Sequence, residues 1–89
     1  MAANAEITIR YFAWVREKAA RSEERVVLPP HIVTIADLIA WQQGRGENFA
    51  AAFARPEVIR AALDRVHVKS DAHIGNAREI GFFPPMTGG

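Results

Sequence analysis

The chain contains no cysteine among its 89 residues. That absence excludes disulfide staples, thiolate metal sites and every form of chemistry that rides on a thiol. An excess of one charge is missing as well. The formal net charge is +1, and Arg55, Arg60 and Arg65 are interrupted by Glu57 and Asp64, so the basic stripe that a nucleic-acid surface needs is not there. No apolar run approaches the roughly 20 residues that cross a bilayer. His31, His67 and His73 lack metal-ligand spacing, and neither a phosphate-binding glycine loop nor a Ser/His/Asp signature is present. Trp14 and Trp41 read as packing residues and not as stacking platforms for bases. Met1 to Ala5 carries no basic residue and leads into no apolar segment, which predicts a loose N-terminus on a cytoplasmic chain and not a signal peptide. No repeat or low-complexity segment interrupts the sequence.

What is present is the composition of an ordinary globular protein, 49% apolar and 24% charged. A chain this short buries only about 60% of its unfolded surface, so one domain is expected. Glu6 to Ala13 alternates, with Ile7, Ile9 and Tyr11 on one face and Thr8, Arg10 and Phe12 on the other, which predicts a half-buried strand that turns Phe12 away from the core. Trp14 to Ala20 fits a short helical turn. Arg25 to Leu28, stopped by Pro29-Pro30, predicts a second strand pairing with the first. Thr34 resembles a helix N-cap with Asp37 at the third helical position, where a full capping box would carry Glu or Gln. The stripe Ile35, Leu38, Ile39, Gln42 marks the main helix, ending at Gly44 as C-cap. A second short helix over Asn48 to Ala54 would present Phe49 and Phe53 and close at Pro56. Val58 to Leu63, Val66 to Val68 and Glu79 to Phe83 read as strands, with a turn-rich connection from Ser70 to Arg78.

This order, with a possible extra helical turn, is compatible with an α+β domain of the β-grasp kind, a mixed sheet of four to five strands on one main helix, and other α+β packings fit the same order. The first and last strands are the most apolar and belong at the sheet centre. The expected division is residues 1–5 as a flexible N-terminus, 6–84 as the domain and 85–89 as an extended tail.

The chain ends Phe82-Phe83-Pro84-Pro85-Met86-Thr87-Gly88-Gly89. Two prolines fix φ and forbid continuation of the ladder; two glycines lack the Cβ that would bar a narrow channel. A terminal Gly-Gly alone carries little weight, since any chain can end in a frayed tail. Joined to Phe-Phe-Pro-Pro after the last strand, it closely resembles the ending of the MoaD family, the sulfur-carrying small subunit of molybdopterin synthase, whose strand-Phe-Phe-Pro-Pro-x-[Ser/Thr]-Gly-Gly pattern is matched at Phe82 to Pro85 and Thr87 to Gly89. Tyr11-Phe12-Ala13-Trp14-Val15-Arg16-Glu17 is similar to the family's Phe-Phe-Ala-x-x-Arg-Glu segment. The helix opening at Thr34 and the strand Arg60-Ala61-Ala62-Leu63-Asp64 fall at the family's spacing. Two positions depart: Asn76-Ala77-Arg78 replaces a Gly-containing acidic turn, so Gly75 or Asn76 must supply any positive φ, and Asp64 stands where the family often has Asn.

The resemblance implies a role for Gly89 and its carboxylate. A ubiquitin-activating-like adenylyltransferase uses ATP to form the acyl-adenylate, sulfur from a donor protein displaces AMP, and the thiocarboxylate attacks cyclic pyranopterin monophosphate in the large synthase subunit, in an assembly expected to be a heterotetramer. Sulfur held at a C-terminus suits a chain without cysteine. No cofactor is expected on this chain, ATP being bound by the activating partner, and no nucleic acid or membrane is implied. Because activation and acid-base work belong to the partners, no catalytic side chain is assigned here beyond the Gly89 terminus. Pro84, Pro85, Met86, Thr87 and Gly88 form the tail. Phe83, Phe12, His67 and Arg16 are the candidate partner-binding residues, although alternation alone leaves core packing an equal alternative for each aromatic. Two other readings stay open: a thiamine-pathway sulfur carrier, and a β-grasp interaction module without covalent chemistry.

Overall fold

A computed structural model describes residues 6–85. Five strands, β1 (Glu6–Tyr11), β2 (Glu23–Val27), β3 (Arg60–Leu63), β4 (Val66–Val68) and β5 (Glu79–Phe83), form one mixed sheet in the order β2-β1-β5-β3-β4. Three short helices, α1 (Ala13–Ala19), α2 (Ile35–Gln43) and α3 (Glu47–Ala52), and a 3-10 turn over Pro56–Val58 lie between them. This is the α+β, β-grasp architecture expected, with β1 and β5 parallel at the centre. The sheet has the maximum strand number foreseen, and α1 is a two-turn helix where a single turn was expected.

The alternation in β1 decides which face is buried. Ile7, Ile9 and Tyr11 are buried while Thr8 and Arg10 are half-exposed, and β5 adds Ile80 and Phe82, both at 0% exposure, to the same face. Against it pack Ile35, Leu38, Ile39 and Gln42 of α2 and Phe49 and Phe53 at either end of α3. The aromatic contacts are close: Phe53 meets Phe82 edge-on at 5.0 Å and Tyr11 stacks on Phe82 at 6.3 Å. Such pairs add about 0.5–1.5 kcal/mol each to what area burial contributes.

The start of α2 shows why the long Ser70 to Arg78 connection is ordered. Helical N–H groups of the first turn have no intrahelical acceptor, and here Ile35 and Ala36 donate to the carbonyls of Ala72 and Ser70 at 3.0 and 2.8 Å. Asp37 N–H donates to Thr34 Oγ1 at 3.1 Å, and Asp37 Oδ2 accepts in return from the N–H groups of Thr34 and Val33. Asp37 therefore completes the capping box for which Glu or Gln was expected, and those backbone donors hold its carboxyl below the ordinary range.

Several boundaries differ from the sequence reading. β2 begins at Glu23 because its ladder with β1 runs back to the Arg10 and Glu23 pair. β1 ends at Tyr11, and Phe12 is the N-cap of α1, since Ala13 turns the chain with φ of 52°. Val58 belongs to the 3-10 turn, not to β3. Gly44 does end α2, but with φ of −94° it is not a left-handed cap. In the connection before β5 the positive φ falls on Gly75, at 57°. Asp64 and Arg65, at 48° and 73°, form the tight β3 to β4 turn, a conformation that Asp tolerates better than most side chains. Asp64 Oδ1 also accepts from the N–H groups of Arg78 and Glu79, both at 3.0 Å, which ties this turn to the start of β5. Among the described residues no helix is long and apolar enough to cross a membrane.

Candidate functional site

β5 delivers the chain end to a defined place. Because β1 and β5 run parallel, the end of β5 lies beside the end of β1, and Phe12 N–H donates to the Phe82 carbonyl at 3.0 Å. On the other side Phe83 pairs with Arg60, the first residue of β3. Pro84 and Pro85 follow, half-buried and without N–H groups to extend the ladder. Met86, Thr87, Gly88 and Gly89 lie outside the described residues.

The face of the sheet turned away from the helices is built on small residues. The ladders align Arg10 of β1, Gly81 of β5, Ala62 of β3 and His67 of β4 in one row across the sheet. Gly81 and Ala62 leave a shallow trough, and aromatic rings border it. Phe12, 41% exposed, leans over Gly81: a Cβ on that glycine would stand 3.2 Å from Phe12 Cε2. The His67 ring lies 4.9 Å from that of Phe83 at 46°, and the Arg10 guanidinium sits 5.8 Å from the Phe12 ring. Phe12, Phe83 and His67 are thus brought together on one face, next to the point where the tail departs. A patch of exposed aromatics rimmed by polar groups is the kind of surface on which proteins dock.

Arg16 is not part of that row. It lies one turn into α1, its side chain exposed, and among the described residues no carboxylate is within ion-pair distance of it. Three features of the face were missed from sequence. The trough at Gly81 and Ala62 could have been found by counting two residues back from Phe83 along β5 and then across the sheet. Arg60 and Lys69, at its β3 and β4 margin, needed the pairing itself. A concavity of about 570 Å³ lies at the opposite end of the sheet, between Glu6, Pro29, Val33 and Asn76, away from Phe83. Among the described residues no group of three His, Asp or Glu side chains could hold a metal ion.

A five-stranded mixed sheet that holds its terminal strand at the centre and ends that strand at two prolines defines a ubiquitin-like, β-grasp domain. The chain belongs to the ThiS family, whose model matches residues 9–89. No curated protein matches it in sequence. Among solved structures it is similar to SAMP1 from Haloferax volcanii, with a TM-score of 0.67 and 18% identity over 96% of this chain and 100% of that one. A putative molybdopterin converting factor subunit 1 from Pyrococcus furiosus gives 0.64 and 20% over 92% and 99%. A further Haloferax volcanii protein solved in solution gives 0.74 and 15% over 100% and 91%. At these identities the likeness speaks for the fold.

Proposed function

We propose that this chain is the sulfur carrier of a molybdopterin synthase, working through the carboxylate of Gly89. The observation that carries the reading is the junction at Phe83-Pro84-Pro85. A central strand stops dead beside an aromatic patch, and the last four residues, ending in Gly-Gly, continue a family match that runs to residue 89. The patch holds the domain on a partner while the tail, bare of side chains at its end, enters that partner's site.

The chemistry follows from what a carboxylate cannot do. Its leaving group would be oxide, so an adenylyltransferase first joins it to AMP with loss of pyrophosphate. Sulfide-level sulfur from a donor protein adds at the acyl carbon and AMP leaves, giving the thiocarboxylate. That sulfur then attacks a side-chain carbon of cyclic pyranopterin monophosphate in the large subunit, a C–S bond forming as that carbon's C–O bond breaks and its oxygen departs as water or with the opened cyclic phosphate. Water finally cleaves the acyl C–S bond, so the sulfur stays with the pterin and Gly89 returns as carboxylate. What favours this pathway over a thiamine-pathway carrier or a docking module is the Phe-Phe-Pro-Pro-x-Thr-Gly-Gly ending from Phe82 to Gly89.

Intact mass of the protein from its native cell tests the carrier step: a species with one oxygen replaced by sulfur is expected at Gly89. A variant with one residue added after Gly89 should fold normally and make no molybdopterin. Cofactor synthesis that persists in that variant refutes the proposal, and loss of thiamine instead of molybdopterin would assign the chain to the thiamine pathway.

A further inference from the structure

The sheet has two edges, β2 and β4, and they differ in what they leave open. Tyr11 N–H donates to the Ser22 carbonyl at 2.8 Å, so by the alternation of an antiparallel ladder the backbone groups of Glu24 and Val26, opposite Ile9 and Ile7, turn toward β1. Those of Glu23, Arg25 and Val27 turn away from the sheet, and among the described residues no backbone group hydrogen-bonds them there. β4 is only three residues long. Asp64 N–H donates to the Glu79 carbonyl at 2.9 Å, and the same alternation pairs β4 to β3 through Val66 and Val68, so that His67 alone turns outward.

A row of outward N–H and C=O groups is a template for one more strand, and the side chains of β2 select which. Glu23, Arg25 and Val27 are exposed, and the charges among them are loosely held, Glu23 by Arg10 at 3.5 Å and Arg25 by Glu6 at 3.9 Å. Charges of one sign would blunt the edge, but here the sign reverses between successive outward positions. We propose that β2 pairs antiparallel with β2 of a second copy of this chain, about a two-fold axis at Glu24. Glu23 of each copy then faces Arg25 of the other, with reciprocal backbone hydrogen bonds and opposite charges directly across. Neighbouring registers are worse: an axis at Arg25 sets two arginines face to face, an axis at Glu23 two glutamates, and an axis at Val26 or Val27 puts Pro29, which has no N–H, opposite Glu23 or Arg25. Glu24 meets its counterpart on the helix side, where Arg45 and Arg21 already neutralise it. Because β2 is the edge away from His67, the joined sheet leaves the aromatic patch uncovered, and the pairing does not depend on the sulfur-carrier reading.

So short a contact buries less than the roughly 1,200 Å² of a stable complex, and weak association calls for sedimentation velocity of the full chain from about 10 μM to about 1 mM. The unaltered chain should pass from monomer toward dimer across that range. Arg25→Glu and Glu23→Arg each replace attractive cross-strand pairs by repulsive ones and should weaken self-association by about tenfold or more; both side chains being exposed, the circular dichroism spectrum should not change. An equimolar mixture of the two variants should recover dimers, since every charge then faces its opposite in the other chain. A chain that stays monomeric throughout, a dimer indifferent to both reversals, or a mixture that gains nothing over its components overturns the inference.

Discussion

Glu24→Gln is the substitution whose outcome the structure constrains most tightly. Glu24 is the acceptor at the centre of a polar cluster at the edge of the core: it takes the Tyr11 hydroxyl at 2.6 Å, Arg45 Nη1 and Nη2 at 2.6 and 2.9 Å, and Arg21 Nη1 at 3.0 Å. Gln42, fully buried, donates to Tyr11 in turn at 2.8 Å. The amide keeps the shape but loses the charge and turns its NH2 toward two of those four donors. Breaking a fully buried ion pair costs about 3–5 kcal/mol; with Arg45 still 21% exposed, about 2–4 kcal/mol is expected. For a domain of this size that lowers Tm by roughly 10–25 °C. Burial works to raise the Glu24 carboxyl, but hydrogen bonds from Arg45 and Tyr11 and the charges of Arg45 and Arg21 outweigh it, leaving it below its ordinary 4.5. A carboxyl depressed in the folded state contributes stability above its unfolded value and loses it as pH falls through the folded one. The gap between the two proteins should thus be constant from neutral pH down to about 5 and close below 4.5. Urea unfolding followed by tryptophan fluorescence reads this directly, because the Trp41 ring lies 4.7 Å from the Arg45 guanidinium. A loss under 1 kcal/mol at neutral pH, or a gap that widens on acidification, refutes the argument.

Three further substitutions separate docking from folding. Gly81→Val fills the trough and pushes the Phe12 ring aside; as the obstacle is the end of an exposed side chain, stability should fall by no more than about 1 kcal/mol while affinity for the docking partner drops by about tenfold or more, and unchanged affinity would remove the trough from the interface. Phe82→Ala should cost about 3–5 kcal/mol because the ring is fully buried, whereas Phe83→Ala, half-exposed, should leave the melting curve nearly in place and weaken partner binding; thermal melts and calorimetric titration of the two variants check the contrast.

The legible parts of this fold were those encoded by neighbours in sequence. Alternation in Glu6 to Tyr11 named both faces of β1, and the Ile35, Leu38, Ile39, Gln42 stripe named the buried side of α2, since each pattern is a local period read against one core. The shift of Phe12 from strand to helix cap was not legible: it depends on Ala13 adopting a left-handed φ, which alanine disfavours and only the packed tertiary structure imposes. The cluster around Glu24 escaped for a related reason. Tyr11, Glu24, Gln42 and Arg45 are up to 34 residues apart in the chain, and Gln42 sat in the helix stripe as though apolar. In the candidate site, Phe12, Phe83 and His67 could be named from the ending and from alternation, but the small-residue floor and the cations at its margin required the register.

Opposed demands on the two faces of β5 explain its sequence. The core face needs volume, and Ile80 and Phe82 supply it. On the outer face the space over position 81 is taken by the Phe12 ring, 3.2 Å from where a Cβ would stand: a β-branched residue would suit a strand better by propensity, yet glycine stands there. Gly81 is therefore a position where local preference for strand is given up without any positive φ to require it, its backbone being extended and its neighbours in sequence both apolar. In a strand whose other residues obey the packing rules, such a departure answers to the Phe12 ring that lies over it, and in the proposed docking mode that same ring is what a partner would meet.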